Sequence, residues 1–417
     1  MKKTMIWILA IIVMLATSLA IYDLSMSDKG ELIITELKAK IGNAAAQNNL
    51  GNMYATGEGV EQNYETAKGW YEKSAKQGYA AAQNNLGIMY ANGEGVEQNY
   101  ETAKGWYEKA AEQGLADAQV GLGYLYAKGK GVGQNYETAR GWYEKAAKQG
   151  HAYAQNSLGD MYYYGESVNQ NYETARGWYK KSAAQGNATA QFKLGYLYDT
   201  GKGVEQNYET AIYFYEKAAE QGLADAQVGL GYLYAKGKGV GQNYETARGW
   251  YEKAAKQGHA YAQNSLGDMY YYGESVNQNY ETARGWYKKS AAQGNATAQF
   301  KLGYLYDTGK GVEQNYETAI YFYEKAAEQG LADAQYNLGI IYANGEGVAQ
   351  NYETAKGWYE KAAKHGNKDA QDRLKEIKEQ ETLAADICKN APDPKECHDG
   401  LDILGRLFEK ALTAEHQ

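Results

Sequence analysis

Few residues in this 417-residue chain have the types and spacing that chemistry requires. The five histidines are scattered, and the paired carboxylates recur with a sequence repeat instead of forming one isolated acid–base couple. The glycine-rich GKGVG at 129–133 has the wrong spacing for a phosphate loop, and the sequence contains no nucleophile-elbow or zinc-protease motif. The sequence therefore predicts a protein without catalytic residues, metal ligands or a cofactor.

The two cysteines are the remaining candidates for chemistry. Cys388 and Cys397 flank both prolines of the chain in the segment CKNAPDPKEC. In an exported protein, an isolated pair this close in sequence predicts a disulfide that closes a helical hairpin. Two alternatives stay open: two buried free thiols, or a metal bound with help from His398, for which no fourth ligand lies nearby in the sequence.

The first twenty residues, MKKTMIWILAIIVMLATSLA, have the features of a secretory leader. Lys2 and Lys3 precede an apolar run, and small residues lie at positions 18 and 20, just before Ile21. Cleavage after Ala20 is expected, which predicts a periplasmic or secreted protein. The alternative is an uncleaved leader that anchors the chain in the inner membrane, facing the periplasm. That leader is the only expected contact with a membrane.

The net negative charge of the chain disfavours some classes of binding partner. Its net charge is −8 at pH 7, with 44% hydrophobic and 23% charged residues. An acidic protein is repelled by the phosphates of nucleic acids and by anionic membrane surfaces. We therefore expect protein partners and no nucleic acid.

Nine 36-residue units tile residues 44–367, and each follows AxAQxxLGxxY, GxGV, QNYETA, WYxKAA and a closing QG. In the first unit, apolar residues at steps of four predict a helix in the first half, which we call helix A. The helix of the second half is called helix B. Asn63 is a typical N-cap for helix B, Glu65 suits the positive end of its dipole, and Gly78 is placed to end it. Gly51, unfavourable inside an isolated helix, indicates a close approach. Short helix pairs must stack to bury their faces, which predicts an all-α solenoid.

The segments AQNNLGNMYATGEGV and NYETAKGWYEKSAKQG resemble Sel1-like repeats, relatives of the tetratricopeptide repeat. The resemblance covers nearly the whole mature chain and implies a right-handed superhelix of helix pairs used for protein–protein contact. Such relatives include envelope regulators, host-interaction factors and immunity proteins that neutralise periplasmic effectors. Phe214 and Phe322 replace the helix B tryptophan, and Ser167 and Ser275 replace a loop glycine. Neither departure is expected to break the fold.

The two ends of the chain differ from the repeats, as the ends of a solenoid must. Residues 21–43 are predicted to be an N-terminal capping segment, in which 28–42 resembles a lone helix B. Residues 368–417 are predicted to form C-terminal capping helices. Of these, 368–384 begins like helix A and continues as a charged helix, and the cysteine hairpin follows.

Three whole units are duplicated, because residues 116–223 recur letter for letter as 224–331. Surface positions tolerate substitution, so stability alone does not require such identity. A recent gene-level duplication is the simplest origin. Any binding site in the first copy then exists again in the second, and a partner with two epitopes, or two partner molecules, would bind with avidity.

Comparison of the nine units separates constant positions from variable ones. Five helix A positions, represented by Ala45, Asn48, Asn52, Ala55 and Thr56, change freely. The resemblance to tetratricopeptide stacking implies that they face the concave side, and their tyrosines suit an interaction surface. The predicted partner-binding residues are Asn48, Asn52, Asn84, Asn92, Tyr124, Tyr153, Asp160, Tyr163, Tyr164, Phe192, Tyr196, Asp199, Tyr232, Tyr261, Asp268, Tyr271, Tyr272, Phe300, Tyr304, Asp307 and Tyr336.

A tyrosine stripe at helical spacing is more often core than interface. Tyr54, Tyr64 and their equivalents are therefore assigned to packing. Three successive tyrosines, as in MYYYG, cannot all face one core, which favours the exposed groove for that segment. The buried face of helix B is assigned to Ala67, Trp70, Tyr71 and Ser74.

Two other functions stay open from the sequence. Cysteine-rich relatives of this repeat class have been discussed as penicillin-binding or β-lactamase-like proteins. Their cysteines recur within each repeat, whereas residues 44–367 contain none, which argues against this activity here. A purely structural spacer between envelope components is the second alternative.

Overall fold

The computed structural model describes residues 28–389. The chain forms two compact units, Met1–Asn207 and Tyr208–Gln417, whose boundary falls between the two helices of the fifth repeat. The described residues contain twenty α-helices and no β-strand. In each unit, consecutive helices pack on one another as stacked helix pairs, which is the arrangement of an all-α solenoid.

The described part of the first unit, residues 28–207, contains ten helices. After α1, they alternate between helix A and helix B of successive repeats, and each repeat helix has 13 residues. Their bounds are α1 Asp28–Lys40, α2 Ala44–Thr56, α3 Tyr64–Lys76, α4 Ala80–Asn92, α5 Tyr100–Glu112, α6 Ala116–Lys128, α7 Tyr136–Lys148, α8 Ala152–Tyr164, α9 Tyr172–Ala184 and α10 Ala188–Thr200.

The second unit begins with a helix B, and its last described helix is a longer one beyond the last repeat. The bounds are α11 Tyr208–Glu220, α12 Ala224–Lys236, α13 Tyr244–Lys256, α14 Ala260–Tyr272, α15 Tyr280–Ala292, α16 Ala296–Thr308, α17 Tyr316–Glu328, α18 Ala332–Asn344, α19 Tyr352–Lys364 and α20 Lys368–Lys389.

The helix ends follow local sequence chemistry. The side chain of Asn63 accepts a 2.9 Å hydrogen bond from the Thr66 backbone N–H, so the predicted N-cap of helix B is confirmed. Helix A ends at Gly57 and helix B at Gln77–Gly78, with φ of 80° at Gly57 and 85° at Gly78. Glycine adopts this left-handed conformation without steric cost, which explains its recurrence at both ends.

The two helices of a repeat are held together by a glycine and a buried tyrosine. A Cβ on Gly51 would stand 2.5 Å from Tyr71 Cε1, so the predicted close approach is to a ring. Ala67 and Ser74 are fully buried beside Tyr71, as predicted. Trp70 departs from the prediction: it is only half-buried, against the preceding core cluster, and Lys73 Nζ lies 3.9 Å from its ring centroid.

Buried glutamines connect each repeat to the one before it. Gln47 is buried and donates a 3.0 Å hydrogen bond to the Ala39 carbonyl near the end of the preceding helix. Gln77, from the closing QG, then donates to the Gln47 side chain at 2.7 Å. The Ala39 carbonyl also accepts a 3.1 Å bond from the Gly42 backbone N–H, so the buried glutamine uses the second lone pair of that oxygen and satisfies its own amide donor.

The ends of the described chain carry helices outside the repeats. Ala39 of α1 is buried in the first core cluster. In α20, Ala370 is fully buried, and Glu381 forms a 2.6 Å ion pair with Lys356 of α19. The leader at 1–20 and Cys397 lie outside the described residues, so the predicted cleavage and disulfide stay predictions. Within 28–389, no helix combines the length and apolar character needed to cross a membrane.

Candidate partner-binding site

A cavity of about 270 Å³ lies where the C-terminal end of α8 meets α9 and α10 in the first unit. Its copy in the second unit has a volume of about 280 Å³. Cavities of this size are slightly smaller than typical small-molecule sites, and each could accept one bulky side chain. Pocket 1 is lined by Tyr163, Tyr164, Tyr179, Phe192, Lys193 and Tyr196. Pocket 2 is lined by Tyr271, Tyr272, Tyr287, Phe300, Lys301 and Tyr304.

The YYY segment of α8 builds one wall of pocket 1, because successive helical residues point in different directions. Tyr162 is half-buried, and Tyr163 and Tyr164 both line the pocket. The rings of Tyr163 and Tyr164 meet edge to face with centroids 4.8 Å apart, and Tyr163 also meets Tyr172 of α9 at 5.1 Å. Tyr164 keeps 64% of its surface exposed, so the prediction that the triplet cannot all face one core is confirmed.

In each pocket, an aspartate carboxylate accepts hydrogen bonds from a tyrosine and a lysine that line the cavity. Asp160 accepts a 2.7 Å hydrogen bond from the Tyr179 hydroxyl and bonds of 2.6 and 2.7 Å from Lys193 Nζ. Burial is the largest cause that raises the pKa of Tyr179, followed by the charge of Asp160. In pocket 2, Asp268 holds Tyr287 and Lys301 in the same way, at 2.7 and 2.6 Å. The two aspartates thus position the pocket residues within each unit.

A second lysine lies among the tyrosine rings at the edge of pocket 1. Lys202 Nζ donates a 2.9 Å hydrogen bond to the Tyr163 hydroxyl, which raises the pKa of Lys202. The same ammonium lies 5.2 Å from the ring centroid of Tyr163, 5.6 Å from Tyr172 and 5.4 Å from Tyr196. These distances are within the range of cation–π attraction.

The arrangement is repeated at Lys310 in pocket 2. Lys310 Nζ lies 3.2 Å from the Tyr271 hydroxyl and 5.2 Å from the Tyr304 ring centroid. Two further lysines make similar contacts outside the pockets. Lys130 lies 3.1 Å from the Tyr124 hydroxyl, and Lys238 lies 3.2 Å from the Tyr232 hydroxyl.

These lysines were not among the predicted site residues, although the sequence contains a signal for them. The residue that follows the first loop glycine varies between repeats. It is lysine in every repeat that has tyrosine six positions earlier, and it is glutamate in the other repeats. The tyrosine–lysine pairs are Tyr124–Lys130, Tyr196–Lys202, Tyr232–Lys238 and Tyr304–Lys310. The glutamates are Glu58, Glu94, Glu166, Glu274 and Glu346.

The predicted asparagine residues of the first two repeats lie apart from pockets 1 and 2. Asn48 and Asn84 are buried, at 5% and 7% exposure. The Asn85 amide donates 3.0 Å bonds to the side-chain oxygens of Asn48 and Asn52, and Asn92 bonds to Glu94 at 3.0 Å. Asn48, Asn52 and Asn92 therefore have side-chain partners within the chain, in contrast to the open ladder that the sequence suggested, whereas Asn84 lines a cavity together with Tyr124 and Tyr153.

The other predicted aromatic residues lie in separate places. Tyr124 and Tyr153 line a different cavity of about 460 Å³ in the first unit. Tyr261, the copy of Tyr153, is 43% exposed. At the C-terminal end of the second unit, the rings of Tyr336 and Tyr359 are 5.7 Å apart.

The remaining predicted aspartates, Asp199 and Asp307, each make a hydrogen bond within their own compact unit. The Tyr323 hydroxyl donates a 2.9 Å bond to Asp307, and burial raises the pKa of the Asp307 carboxyl. The backbone carbonyl of Asp199 accepts a 2.6 Å bond from Gln206. No cluster of three or more potential metal ligands is present in the part of the chain that the structure describes.

The repeated helix pairs and their fixed sequence skeleton define a Sel1 repeat scaffold, and the chain belongs to the Sel1 repeat family. The family model, described as Sel1 repeat, matches residues 44–79, 80–115, 116–151, 152–187, 188–223, 224–259, 260–295, 296–331 and 332–367. The recognition of this family from the sequence and the all-α solenoid fold are both confirmed. Sel1 repeat proteins are generally non-catalytic scaffolds that bind protein partners.

Two crystal structures with substantial sequence identity are similar to this chain. One is c5321, a protective antigen present in uropathogenic Escherichia coli strains that displays an SLR fold. It is 36% identical with a TM-score of 0.73, over 94% of this chain and 83% of that one. The other, a Sel1 repeat protein from Oxalobacter formigenes, is 33% identical with a TM-score of 0.56, over 77% of this chain and 93% of that one. No match was found among the curated proteins.

Proposed function

We propose that this chain is an exported scaffold that binds protein partners through pockets 1 and 2, without a catalytic step. The observation that carries the proposal is the occurrence of the same aromatic and lysine-bearing cavity in each unit. Exposed tyrosines with one apolar face and one polar end are typical of protein interfaces.

The pockets have the rigidity that an interaction site needs. Their floors are formed by buried tyrosines, Tyr179 and Tyr287, each bonded to an aspartate at 2.7 Å. Their rims carry Tyr164 and Tyr272, each 64% exposed. A partner can therefore bury the rim tyrosines without reorganising the helices, which limits the entropy lost on binding.

Two equal sites on one chain favour a bivalent mode of binding. A partner with two similar segments, or an oligomeric partner, would bind both pockets of one chain. Binding at the first pocket raises the effective concentration at the second, so the overall affinity exceeds that of one pocket.

Export and the biological role are further parts of the proposal. The leader-like residues 1–20 support export to the periplasm or beyond. The similarity to c5321, a protective antigen, favours a host-interaction factor over an envelope regulator or an effector-immunity protein. In all three roles, binding of a protein partner is the common activity.

The proposal is tested by capture from a cell-envelope extract with purified chain as bait. In one variant, the rim tyrosines of both pockets are replaced, Tyr164→Ala with Tyr272→Ala. In the matched control, Tyr213→Ala with Tyr321→Ala, the tyrosines are also copies of each other and are 50% and 55% exposed, but they lie outside the pockets.

The proposal requires a partner that is captured by the parent and the control and lost by the pocket variant. Equal capture by all three chains would place the binding site elsewhere. The helical content of each chain, measured by circular dichroism, establishes that the variants are folded.

A further inference from the structure

The lysines of pocket 1 differ in how their charges are compensated. Lys193 is paired with the Asp160 carboxylate at 2.6 Å. Lys202 has no carboxylate within 4.0 Å among the described residues, and its contacts are a phenol oxygen and tyrosine rings. An ammonium has three N–H donors, and the Tyr163 hydroxyl accepts one of them. Donors on a positively charged group therefore remain for a ligand.

Pocket 2 has the same charge arrangement. Lys301 is paired with Asp268 at 2.6 Å, whereas Lys310 has no ion pair in residues 28–389 and bonds to the Tyr271 hydroxyl at 3.2 Å. Bonds to tyrosine hydroxyls also raise the pKa of Lys310, so it stays protonated at neutral pH. Each pocket thus combines one compensated and one uncompensated positive charge, on a chain whose net charge is −8.

The uncompensated charge adjoins an apolar space. Lys202 lies over the rings of Tyr163 and Tyr196, and both rings also line pocket 1 together with Phe192. A ligand group that fills the cavity would therefore place its neighbouring atoms close to the Lys202 ammonium. An aromatic side chain of a ligand would bind most favourably in such a site. Pairs of aromatic rings contribute about 0.5–1.5 kcal/mol of binding free energy in addition to that from the area they bury.

We infer that each pocket recognises an acidic peptide segment: an aromatic or bulky aliphatic side chain enters the ring of tyrosines, and an adjacent Asp or Glu carboxylate binds Lys202 or Lys310. The inference rests on the proposed function and specifies the chemistry of the partner. Charge complementarity carries it, since the lysine needs an anion and the rings need an apolar neighbour on the same ligand.

A nucleic acid would also supply an anion and a ring, but it fits the site less well. One uncompensated ammonium per pocket matches one carboxylate, whereas a polyphosphate backbone needs a row of positive charges. Because the chain as a whole is acidic, it would repel a nucleic acid along the rest of its surface.

The inference is tested by selecting peptides from a random phage-displayed library on the immobilised parent chain. The enriched peptides are then synthesised with a fluorescent label, and their affinities are measured by anisotropy. A variant with Lys202→Met and Lys310→Met removes the charges and keeps most of the side-chain volume.

Lys181→Met with Lys289→Met is the matched control. These lysines are also copies of each other, and each lies 4.2 Å from a tryptophan ring centroid outside the pockets. We expect enriched peptides that contain Asp or Glu beside an aromatic or large aliphatic residue. Their affinity should fall roughly tenfold or more in the pocket variant, as for the loss of a charged hydrogen bond, and should not change in the control.

Any of three outcomes with the parent chain would overturn the inference. These are enrichment of neutral or basic peptides, no enrichment at all, or competition by a single-stranded oligonucleotide. The inference would also fail if the affinity were lost with Tyr164→Ala and Tyr272→Ala but kept with the two lysine substitutions. That result would leave the proposed function intact, because it would place peptide binding in the pockets without a need for charge.

Discussion

Lys202 donates a 2.9 Å hydrogen bond to the hydroxyl of Tyr163, and so joins the loop of the fifth repeat to helix A of the fourth. The contact exists because two successive repeats place a loop lysine and a helix-end tyrosine side by side. Neither repeat alone forms the site. What distinguishes pockets 1 and 2 is that a positive charge held among phenol rings adjoins the aromatic cavity, whereas Lys130 and Lys238 make similar tyrosine contacts outside these pockets.

The buried tyrosines make the fold sensitive to alkaline pH. Burial raises the pKa of Tyr71 and of Tyr107 to about 12, above the ordinary value of 10.0. Between those values, the unfolded chain loses protons that the folded chain keeps, so stability is complete below pH 10 and falls as the pH rises toward 12. We expect cooperative unfolding in that range, with the last part of the rise in tyrosinate absorbance, from the buried tyrosines, coinciding with the loss of helical circular dichroism. Tyrosinate that forms fully while the helices persist would contradict this prediction.

Glycines in the two helices of a repeat should respond in opposite ways to alanine. A Cβ at Gly105 in helix B meets nothing within 4 Å, so Gly105→Ala should raise stability by about 1 kcal/mol through helix propensity. A Cβ at Gly87 in helix A would stand 2.6 Å from the Tyr107 ring, so Gly87→Ala should lower stability by roughly 1–3 kcal/mol through overpacking. Midpoints of urea unfolding measure both effects, and shifts of the same sign in the two variants would refute the prediction.

Ser167 is strained in a position that is glycine in seven of the nine repeats. Its φ is 60°, in the left-handed region that costs a non-glycine residue about 1–2 kcal/mol. Ser167→Gly should therefore raise the thermal midpoint, because the relief of strain exceeds the entropy cost of the new glycine. The converse change, Gly203→Ser, should lower the midpoint, because a Cβ there would stand 2.6 Å from the Tyr172 carbonyl carbon. A destabilising Ser167→Gly would show that the serine conformation is not strained.

Local chemistry made most of the fold predictable. The Asn63 cap and the glycines at the helix ends depend on their own few residues, and the structure confirms them. The partial exposure of Trp70 was not predictable from its own helix. A stripe of apolar residues shows which face of a helix is buried, but the exposed fraction of each side chain depends on the neighbouring repeat. The burial of Asn48 was missed for the same reason.

The candidate site was predictable only in part. The triplet ending in Tyr164 indicated an exposed aromatic surface, because helical geometry alone prevents three successive residues from sharing one core. The role of Lys202 depends on contact with a tyrosine 39 positions earlier, which only the stacking of repeats brings close. The signal in the sequence is that the loop lysine occurs only in repeats with a tyrosine six positions earlier, in helix A. A comparison of the nine repeats for this pairing would have identified Lys202.

The most direct test of the two-pocket account is the affinity of the captured partner for four chains, measured by surface plasmon resonance. The chains are the parent, Tyr164→Ala, Tyr272→Ala and the double variant. The account predicts that each single variant still binds with reduced avidity, and that the double variant loses roughly thirtyfold or more in affinity, as expected for hot-spot residues. A double variant that binds as tightly as the parent would contradict it.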